Sequence, residues 1–452
     1  MLNKLLNKLL NKFLKSNVYN LHQFYEKNQW LSKEELEKYQ INRLQKLIEY
    51  SYNNVSFYKN LWDKKNIDIK IYSLKDLEKF PIVNKSMLQE AIKNNEISKE
   101  YIDKLKTNQI VWQSTTGSSG KPFKFPVDIL SENHKDGLRR RLYKWYGIDY
   151  GIKWAKFWRG SYKKSFKERV KEYLTGQYRF CIYDPKYPKE TELNDNRIKF
   201  FITELNYIKP SVIDGFPSAL REISNYILKN NIKLQFKVNS IVTGAELLTL
   251  EDRKIISKAF GATVFNRYGG TESSIIAHEC EYQAKNEHFL HIQDDRLIVE
   301  SDENNELIFT DLTTYSLPFI RYKNGDLGTI DKEYKCPCGR NLSMLTSIKG
   351  RVNDMFILPD GGKISSHIWQ NYMKKCEGIE KYQMIQEKID LVIINWIKNS
   401  NLFYENEFVY VQNLIQNALK GCKVLWNEVD AIEVGIGGKF RQHICKVVIN
   451  AH

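Results

Sequence analysis

The rhythm of apolar and polar positions changes several times along the chain. From Trp30 to about Lys106 the pattern is helical and polar, with no chemical motif. An apolar run, Ile110-Val111-Trp112, then meets a small-residue loop from Ser114 to Gly120, and Phe123, Phe125 and Val127 alternate after it. This predicts strand, loop, strand. In the middle, strands at Ser211-Val212-Ile213, Ile241-Val242-Thr243 and Ala262 to Phe265 alternate with helices. Pro217 opens one helix, which runs to about Lys229. Thr249 with Asp252 forms an N-cap pair for the next, which runs to Phe260 and stops at Gly261. Repeated β-α-β units predict a parallel sheet covered by helices.

After His288 the strands shorten and crowd: Leu297 to Val299, Glu306 to Thr310 and Phe319 to Tyr322, with no helices between them. That favours an antiparallel sheet or small barrel. Beyond Arg351 the order is strand, helix (about Ser366 to Lys375), two strands, helix (about Glu405 to Leu419) and further strands, a separate α+β lid. No internal repeat or low-complexity linker interrupts the chain. The fold class is therefore α/β, with a large N-terminal domain that combines parallel sheet and a small antiparallel part, and a small C-terminal domain. The expected limits are a basic amphipathic helix over 1–20, a main domain over 21–350 and a mobile domain over 351–452.

Composition narrows the functional classes. At roughly 150 residues per domain, 452 residues with 42% hydrophobic and 27% charged give two or three globular domains. No run approaches the ~18 apolar residues that cross a bilayer. Seven cysteines, two of them in Cys336-Pro337-Cys338, read as reduced thiols or metal ligands in a cytoplasmic protein. The net charge of +15 fits a nucleic acid, an anionic membrane surface or polyanionic small molecules. In the first fifteen residues Leu2, Leu5, Leu6, Leu9, Leu10, Phe13 and Leu14 share a helical face, with Lys4, Lys8, Lys12 and Lys15 elsewhere. Such a helix either lies at the inner membrane face or packs on the chain's own body or a dimer mate.

The chemistry begins at Ser114-Thr115-Thr116-Gly117-Ser118-Ser119-Gly120-Lys121-Pro122. Glycines let backbone N–H groups approach an anion, and hydroxyls and a lysine add donors. It is not a Walker A loop, because no Ser or Thr follows the lysine and Pro122 leads into a strand. Read alone, it is equally a flexible hairpin tip. Four further segments follow in order: Gly244-Ala245-Glu246; Asn266-Arg267-Tyr268-Gly269-Gly270-Thr271-Glu272; Arg321-Tyr322-Lys323-Asn324-Gly325-Asp326 with Gly350-Arg351; and Gly437-Gly438-Lys439-Phe440-Arg441. Together these resemble the motifs of the acyl-adenylate-forming superfamily. The likeness spans about Ser114 to Arg441 and points to its phenylacetate–CoA ligase-like, CapK-type branch, associated with capsule and surface-polysaccharide synthesis.

The resemblance implies an ATP- and Mg²⁺-dependent enzyme that converts a carboxylic acid to an acyl-adenylate. It then passes the acyl group to a thiol such as coenzyme A, or to an amine or hydroxyl. By the same likeness Thr115, Thr116, Ser118, Ser119 and Lys121 cradle the outer phosphates, with Ser114, Gly117 and Gly120 in the same loop. Gly244, Ala245 and Glu246 lie on the adenine side. Asn266, Arg267 and Gly269 flank Tyr268, which stacks on adenine; Thr271 bonds the α-phosphate and Glu272 holds Mg²⁺. Asp326 takes the ribose hydroxyls beside Arg351, and Lys439 arrives with the lid to bridge carboxylate and α-phosphate. Read singly, Tyr268 is equally a core aromatic, Asp326 a turn residue and Lys439 a solvated lysine. Two departures stand out. Many members carry Lys after the loop proline, where this chain has Phe123, and a charge at the hinge, where it has Asn353 before Asp354.

Cys336-Pro337-Cys338-Gly339 is a turn able to present two thiolates to one metal, and Zn²⁺ prefers four N/S ligands. Cys280 follows the Tyr268 to Glu272 motif; His278, His288 and His291 compete for the fourth place. Likeness to zinc-binding relatives favours His291. The alternative is buried free thiols and surface histidines. Trp158, Arg159 and Phe216 fall in the stretch expected to line an acyl pocket, where Arg159 either meets an acidic substrate or serves structure. A nucleic-acid protein, prompted by Arg139-Arg140-Arg141, lacks any recognition module, so no nucleic-acid partner is expected. A membrane-associated scaffold that keeps the nucleotide fold without turnover is the non-enzymatic alternative.

Overall fold

Side-chain caps fix many of the helix boundaries. The computed structural model describes residues 16–106, 110–115, 123–149, 152–184, 186–187, 189–191, 193–351, 356–364, 369, 372–373, 375–432 and 441–447. Segment 1–15, loop positions Thr116 to Lys121, hinge residues Asn353 and Asp354, and Lys439 thus lie outside the described residues. Helices α1 (Ser16–Asn28), α2 (Lys33–Asn54) and α3 (Ser56–Asp63) open the chain, α2 behind a Ser32–Glu35 capping box. Strand β1 (Val83–Asn84), helices α4 (Lys85–Lys93) and α5 (Lys99–Lys106), and the antiparallel hairpin β2 (Ile110–Ser114) and β3 (Lys124–Asp128) follow.

Helix α6 (Ile129–Trp145) starts on Asp128, whose carboxylate accepts the Ser131 N–H at 2.8 Å. Then come β4 (Trp154–Arg159), α7 (Phe166–Thr175), β5 (Gln177–Tyr183), α8 (Asp195–Ile208), β6 (Val212–Gly215), α9 (Pro217–Lys229), β7 (Ser240–Gly244), α10 (Leu250–Phe260) and β8 (Thr263–Gly270). Strands β4 to β8 are parallel, as the β-α-β rhythm requires. The Thr249–Asp252 box and the left-handed Gly261 bound α10 where the sequence placed them. Phe157, Ile213, Ile241 and Val264 on one sheet face pack against Phe201, Leu220 and Ile256 of the covering helices. Tyr146, Val212, Val242 and Phe265 form a second core on the opposite face.

The direction reverses at β9 (Ser274–His278), antiparallel to β8. After the short α11 (Glu281–Lys285) come β10 (Leu290–Ile292), β11 (Leu297–Ser301), β12 (Glu306–Asp311), β13 (Tyr322–Asp331) and β14 (Met344–Arg351). These antiparallel strands continue the parallel ones in one sheet, ordered β11-β12-β13-β14-β10-β9-β8-β7-β6-β4-β5, with β1 added beside β13. The strand expected at Phe319 to Tyr322 begins only at Tyr322, because Arg321 is left-handed (φ 46°) and ends any extended run before it.

By internal packing the chain forms two units. One runs through Asp302 and adds Leu307–Asn324 and Thr329–Ser347; the other comprises Glu303–Glu306, Gly325–Gly328 and the chain from Ile348. The second contains the pair β15 (Phe356–Ile357) and β16 (Lys363–Ile364), and a sheet of β17 (Ile379–Lys388), β18 (Leu391–Lys398), β19 (Lys423–Glu428) and β20 (His443–Cys445), ordered β19-β18-β17-β20. Helix α12 (Glu405–Ala418) buries Val411 and Ile415 in a core with Trp369, Met384 and Ile394. The helix expected near Ser366 to Lys375 falls largely outside the described residues; within it Trp369 and Met373 are helical and buried.

The first unit also buries carboxylates. Asp294 accepts the Ser343 N–H at 2.6 Å, yet burial, the largest influence, pushes its pKa up to about 6. A folded-state pKa above the unfolded one means that this group's contribution is complete below about pH 4 and is lost as pH rises through 6. Asp294→Asn keeps an acceptor but cannot ionise. Its unfolding free energy, followed by urea titration, should match that of the native chain near pH 4 and exceed it by up to about 3 kcal/mol at neutral pH. A constant difference across that range would remove Asp294 as the source.

Candidate active site

The phosphate-loop hairpin is closed at its base by Thr115. Its N–H donates to the Phe123 carbonyl at 2.9 Å, and its hydroxyl accepts the Phe123 N–H at 3.0 Å. Thr115 therefore fixes the loop's ends, while Ser114 is exposed beside it. Phe123 is wholly buried against Phe125, which meets Phe319 edge-on. A lysine there would carry its charge into the core, which accounts for the departure at this position.

Two motif segments stand at the carboxyl ends of β7 and β8, where parallel sheets place ligands. Ala245 adopts a left-handed φ of 67° directly after β7. Glu246 accepts the Ser218 N–H at 3.1 Å and so caps α9, whose own N-cap Phe216 offers no side-chain acceptor. Arg267 crosses Gly244 to reach Asp214 at 2.6 Å; a Cβ on Gly244 would lie 2.8 Å from Arg267 Cγ. Trp158 also donates to Asp214, at 3.1 Å, and packs on Phe216 with ring centroids 4.5 Å apart. The second carboxylate oxygen of Asp214 and Oδ1 of Asn266 are buried without hydrogen-bond partners among the described residues. Arg159 ends β4 half-buried; burial lowers its pKa and the Glu246 carboxylate opposes that shift.

The turn from β8 to β9 carries Thr271 and Glu272. Tyr268 is half-buried, not sealed in the core, and its hydroxyl accepts from the Asn324 amide at 2.8 Å. The Tyr322 hydroxyl approaches Glu272 at 3.4 Å. Beneath the turn, the fully buried Arg296 donates to the Ser273 carbonyl and, at 3.2 Å, to that of Ile275, while pairing with buried Asp311 at 2.6 Å. Gly270, Thr271 and Ser274 open onto a cleft of about 310 Å³, faced by Gln113 from β2 and by Glu132, Lys135 and Arg139 from α6. Asp326 lies on β13 within the second unit, and Arg351 ends β14.

A second constellation joins Cys280, His291, Cys336 and Cys338, whose ligand atoms all lie within 4.8 Å of one another. Cys280 Sγ is 3.7 Å from Cys336 Sγ, and Cys338 Sγ is 3.4 Å from His291 Nε2. Hydrogen bonds with Cys280 and then Cys336 hold the Cys338 thiol far below its usual range, while contacts with Cys336 and then Cys338 push Cys280 up. His278 is instead packed against Trp145, centroids 4.1 Å apart, and His288 bonds the Gln283 carbonyl. The donor set suits a four-coordinate metal ion.

The model of the CapK C-terminal domain matches residues 356–446. Protein CapK of Staphylococcus aureus is 24% identical over 390 residues, 84% of this chain and 82% of that protein. A phenylacetate-coenzyme A ligase of Thermus thermophilus is 24% identical over 379 residues, covering 78% and 79%. Among solved structures, 2-hydroxyisobutyryl-CoA ligase in the postadenylation state superposes with a TM-score of 0.70 at 18% identity, over 92% of this chain and 91% of that one, a likeness of fold. Over most of its length the chain is thus similar to CapK and to phenylacetate–CoA ligases, and residues 356–446 match the CapK C-terminal domain.

Sequence reasoning missed Lys135 and Arg139. Both project from α6 toward Thr271, at positions spaced i, i+4. Lys135 is buried with its ammonium 3.2 Å from Glu132. The polar stripe Glu132, Lys135, Arg139 was the available signal. Arg141, from the triplet that prompted the nucleic-acid alternative, is fully buried and paired with Asp295 at 2.5 Å.

Gly269 admits no side chain, since a Cβ there would lie 2.0 Å from the Ser274 carbonyl oxygen. Gly269→Ala must part β8 from β9. It should cost about 3 kcal/mol or more by thermal or urea unfolding and displace Thr271 and Glu272. A fully stable variant would show that the turn tolerates this separation.

Proposed function

We propose that the chain activates a carboxylic acid with ATP and Mg²⁺ and then transfers the acyl group. A carboxylate oxygen attacks the α-phosphorus and pyrophosphate leaves, giving an acyl-adenylate. The acceptor then attacks the acyl carbon, losing its proton, and AMP leaves. The reading rests chiefly on one observation: the β8–β9 turn sets Tyr268, Thr271 and Glu272 together at the carboxyl end of the sheet, above a cleft faced by Lys135 and Arg139. Negative charge gathers on the phosphates in the transition state, so preorganised cations and donors supply most of the stabilisation.

In this reading Glu272 holds Mg²⁺, Thr271 bonds the α-phosphate, Tyr268 stacks on adenine and Asp326 takes the ribose. The loop Thr116 to Lys121 cradles the outer phosphates. Residues 351–452 act as a mobile domain that delivers Lys439. Trp158, Phe216 and the open acceptor on Asp214 border the acyl pocket, where a ligand donor would relieve an otherwise unsatisfied buried oxygen. Coenzyme A is the favoured acceptor, since the relatives include CoA ligases. The likeness to CapK supports a second reading, with an amine or hydroxyl acceptor in surface-polysaccharide synthesis.

Pyrophosphate exchange across a panel of acids tests the first step; no acid supporting exchange would refute it. Lys439→Ala should abolish exchange while leaving transfer from a synthetic acyl-adenylate largely intact. Equal damage to both steps would assign the lysine another role.

The cysteine–histidine cluster is proposed to hold a structural Zn²⁺. Tetrahedral zinc with ordinary bond lengths sets S···S near about 3.8 Å and S···N near about 3.5 Å, against 3.7 and 3.4 Å here. Four protein ligands leave no open position for chemistry. Elemental analysis should find about one zinc per chain, and Cys338→Ser should lose it with a lower Tm. Metal-free protein of unchanged Tm would exclude the site.

A further inference from the structure

The crossover from β4 to β5 carries a helix whose sides are reversed relative to the hydrophobic effect. No residue of α7 is buried. Its half-buried acids face inward: Glu168 accepts the Ser165 N–H at 2.8 Å in the helix's own capping box, and Glu172 accepts the Arg179 N–H of β5 at 2.8 Å and pairs with Lys164. Its large apolar side chains face outward, with Phe166 81%, Val170 39%, Tyr173 70% and Leu174 59% exposed. At 3.6 residues per turn these four fall within an arc of about 100°, opposite the two glutamates. Arg169 borders that arc on one side, Lys167 and Lys171 on the other, and none of the three makes an ion pair among the described residues.

We propose that α7 docks on an anionic lipid bilayer. The apolar stripe enters the boundary of the acyl chains, and the flanking cations meet lipid phosphates. A second copy would bring three cations against three. The chain's own segment 1–15 would add Lys4, Lys8, Lys12 and Lys15 to the same positive rim. A nucleic acid would satisfy the cations but give Val170 and Leu174 no apolar surroundings. A bilayer carrying negative headgroups satisfies both the stripe and its rim. This surface is independent of the adenylation reading.

The full chain is to be sedimented with vesicles of phosphatidylglycerol and phosphatidylcholine, and with phosphatidylcholine alone, while amide hydrogen exchange is followed over 163–179. Binding to the anionic vesicles, weaker with added salt, should slow exchange in α7. The exposed changes Phe166→Ser with Tyr173→Ser should weaken partitioning by about tenfold or more. Lys167→Glu with Arg169→Glu and Lys171→Glu should do the same, and both variants should retain the native Tm. No vesicle binding, or binding without protection of α7, overturns the proposal. So does equal binding to neutral vesicles, or self-association that the serine variant abolishes.

Discussion

The buried pair Arg296–Asp311 underlies the candidate site. Both side chains are fully shielded from water, and the guanidinium turns Nη2 to carbonyls of the β8–β9 turn. Burial, the largest influence, would raise the Asp311 carboxyl, but Arg296, Lys135 and the Thr313 hydrogen bonds together outweigh it and the net shift is downward. Such a pair gains little net stability, because desolvation offsets attraction, yet leaving one partner alone costs about 3–5 kcal/mol. Its effect is therefore positional: the loop with Thr271 and Glu272 is held from below by an element distant in sequence, and its upper surface stays open to a ligand.

Much of the parallel half was legible because its signals are local. Pro217, the Thr249–Asp252 box and Gly261 each act within one turn of chain, so the helices begin or end where those residues stand. The continuity of the sheet was not legible. Strand pairing across β10, β9 and β14 depends on register between segments tens of residues apart, which no short window contains. At the candidate site the motif residues were readable by type, while several of their contacts were not. Glu246 caps a helix, Gly244 leaves room for Arg267, and Thr115 closes a hairpin. Lys135 and Arg139 escaped notice because one helix face among many polar ones announces nothing until β2 and the β8–β9 turn are opposite it.

Charge along the sequence proved a poor guide to charge at the surface. Arg139 and Arg141, two residues apart, reach different environments, one beside the cleft and one sealed against Asp295. The same holds for Arg253, locked to buried Glu279 at 2.6 Å. Each such pair withdraws one cation and one anion, so the net excess of +15 is left to the remaining charges. The cations that remain on α7 border an apolar stripe, and that combination of charge with exposed side chains sets the helix apart from a merely solvated basic face.

The N-terminal helices are tied to strands synthesised much later. Gln40 donates to the Asp294 carbonyl, Tyr58 to that of Pro318 and Arg43 to that of Leu312, and Val83 pairs with Tyr322. On a ribosome, the first hundred residues emerge with their apolar sides uncovered and wait for more than two hundred others before their partners exist. Vectorial synthesis therefore leaves these helices without their partners for a long stretch of translation, and holding chaperones would find binding sites on them.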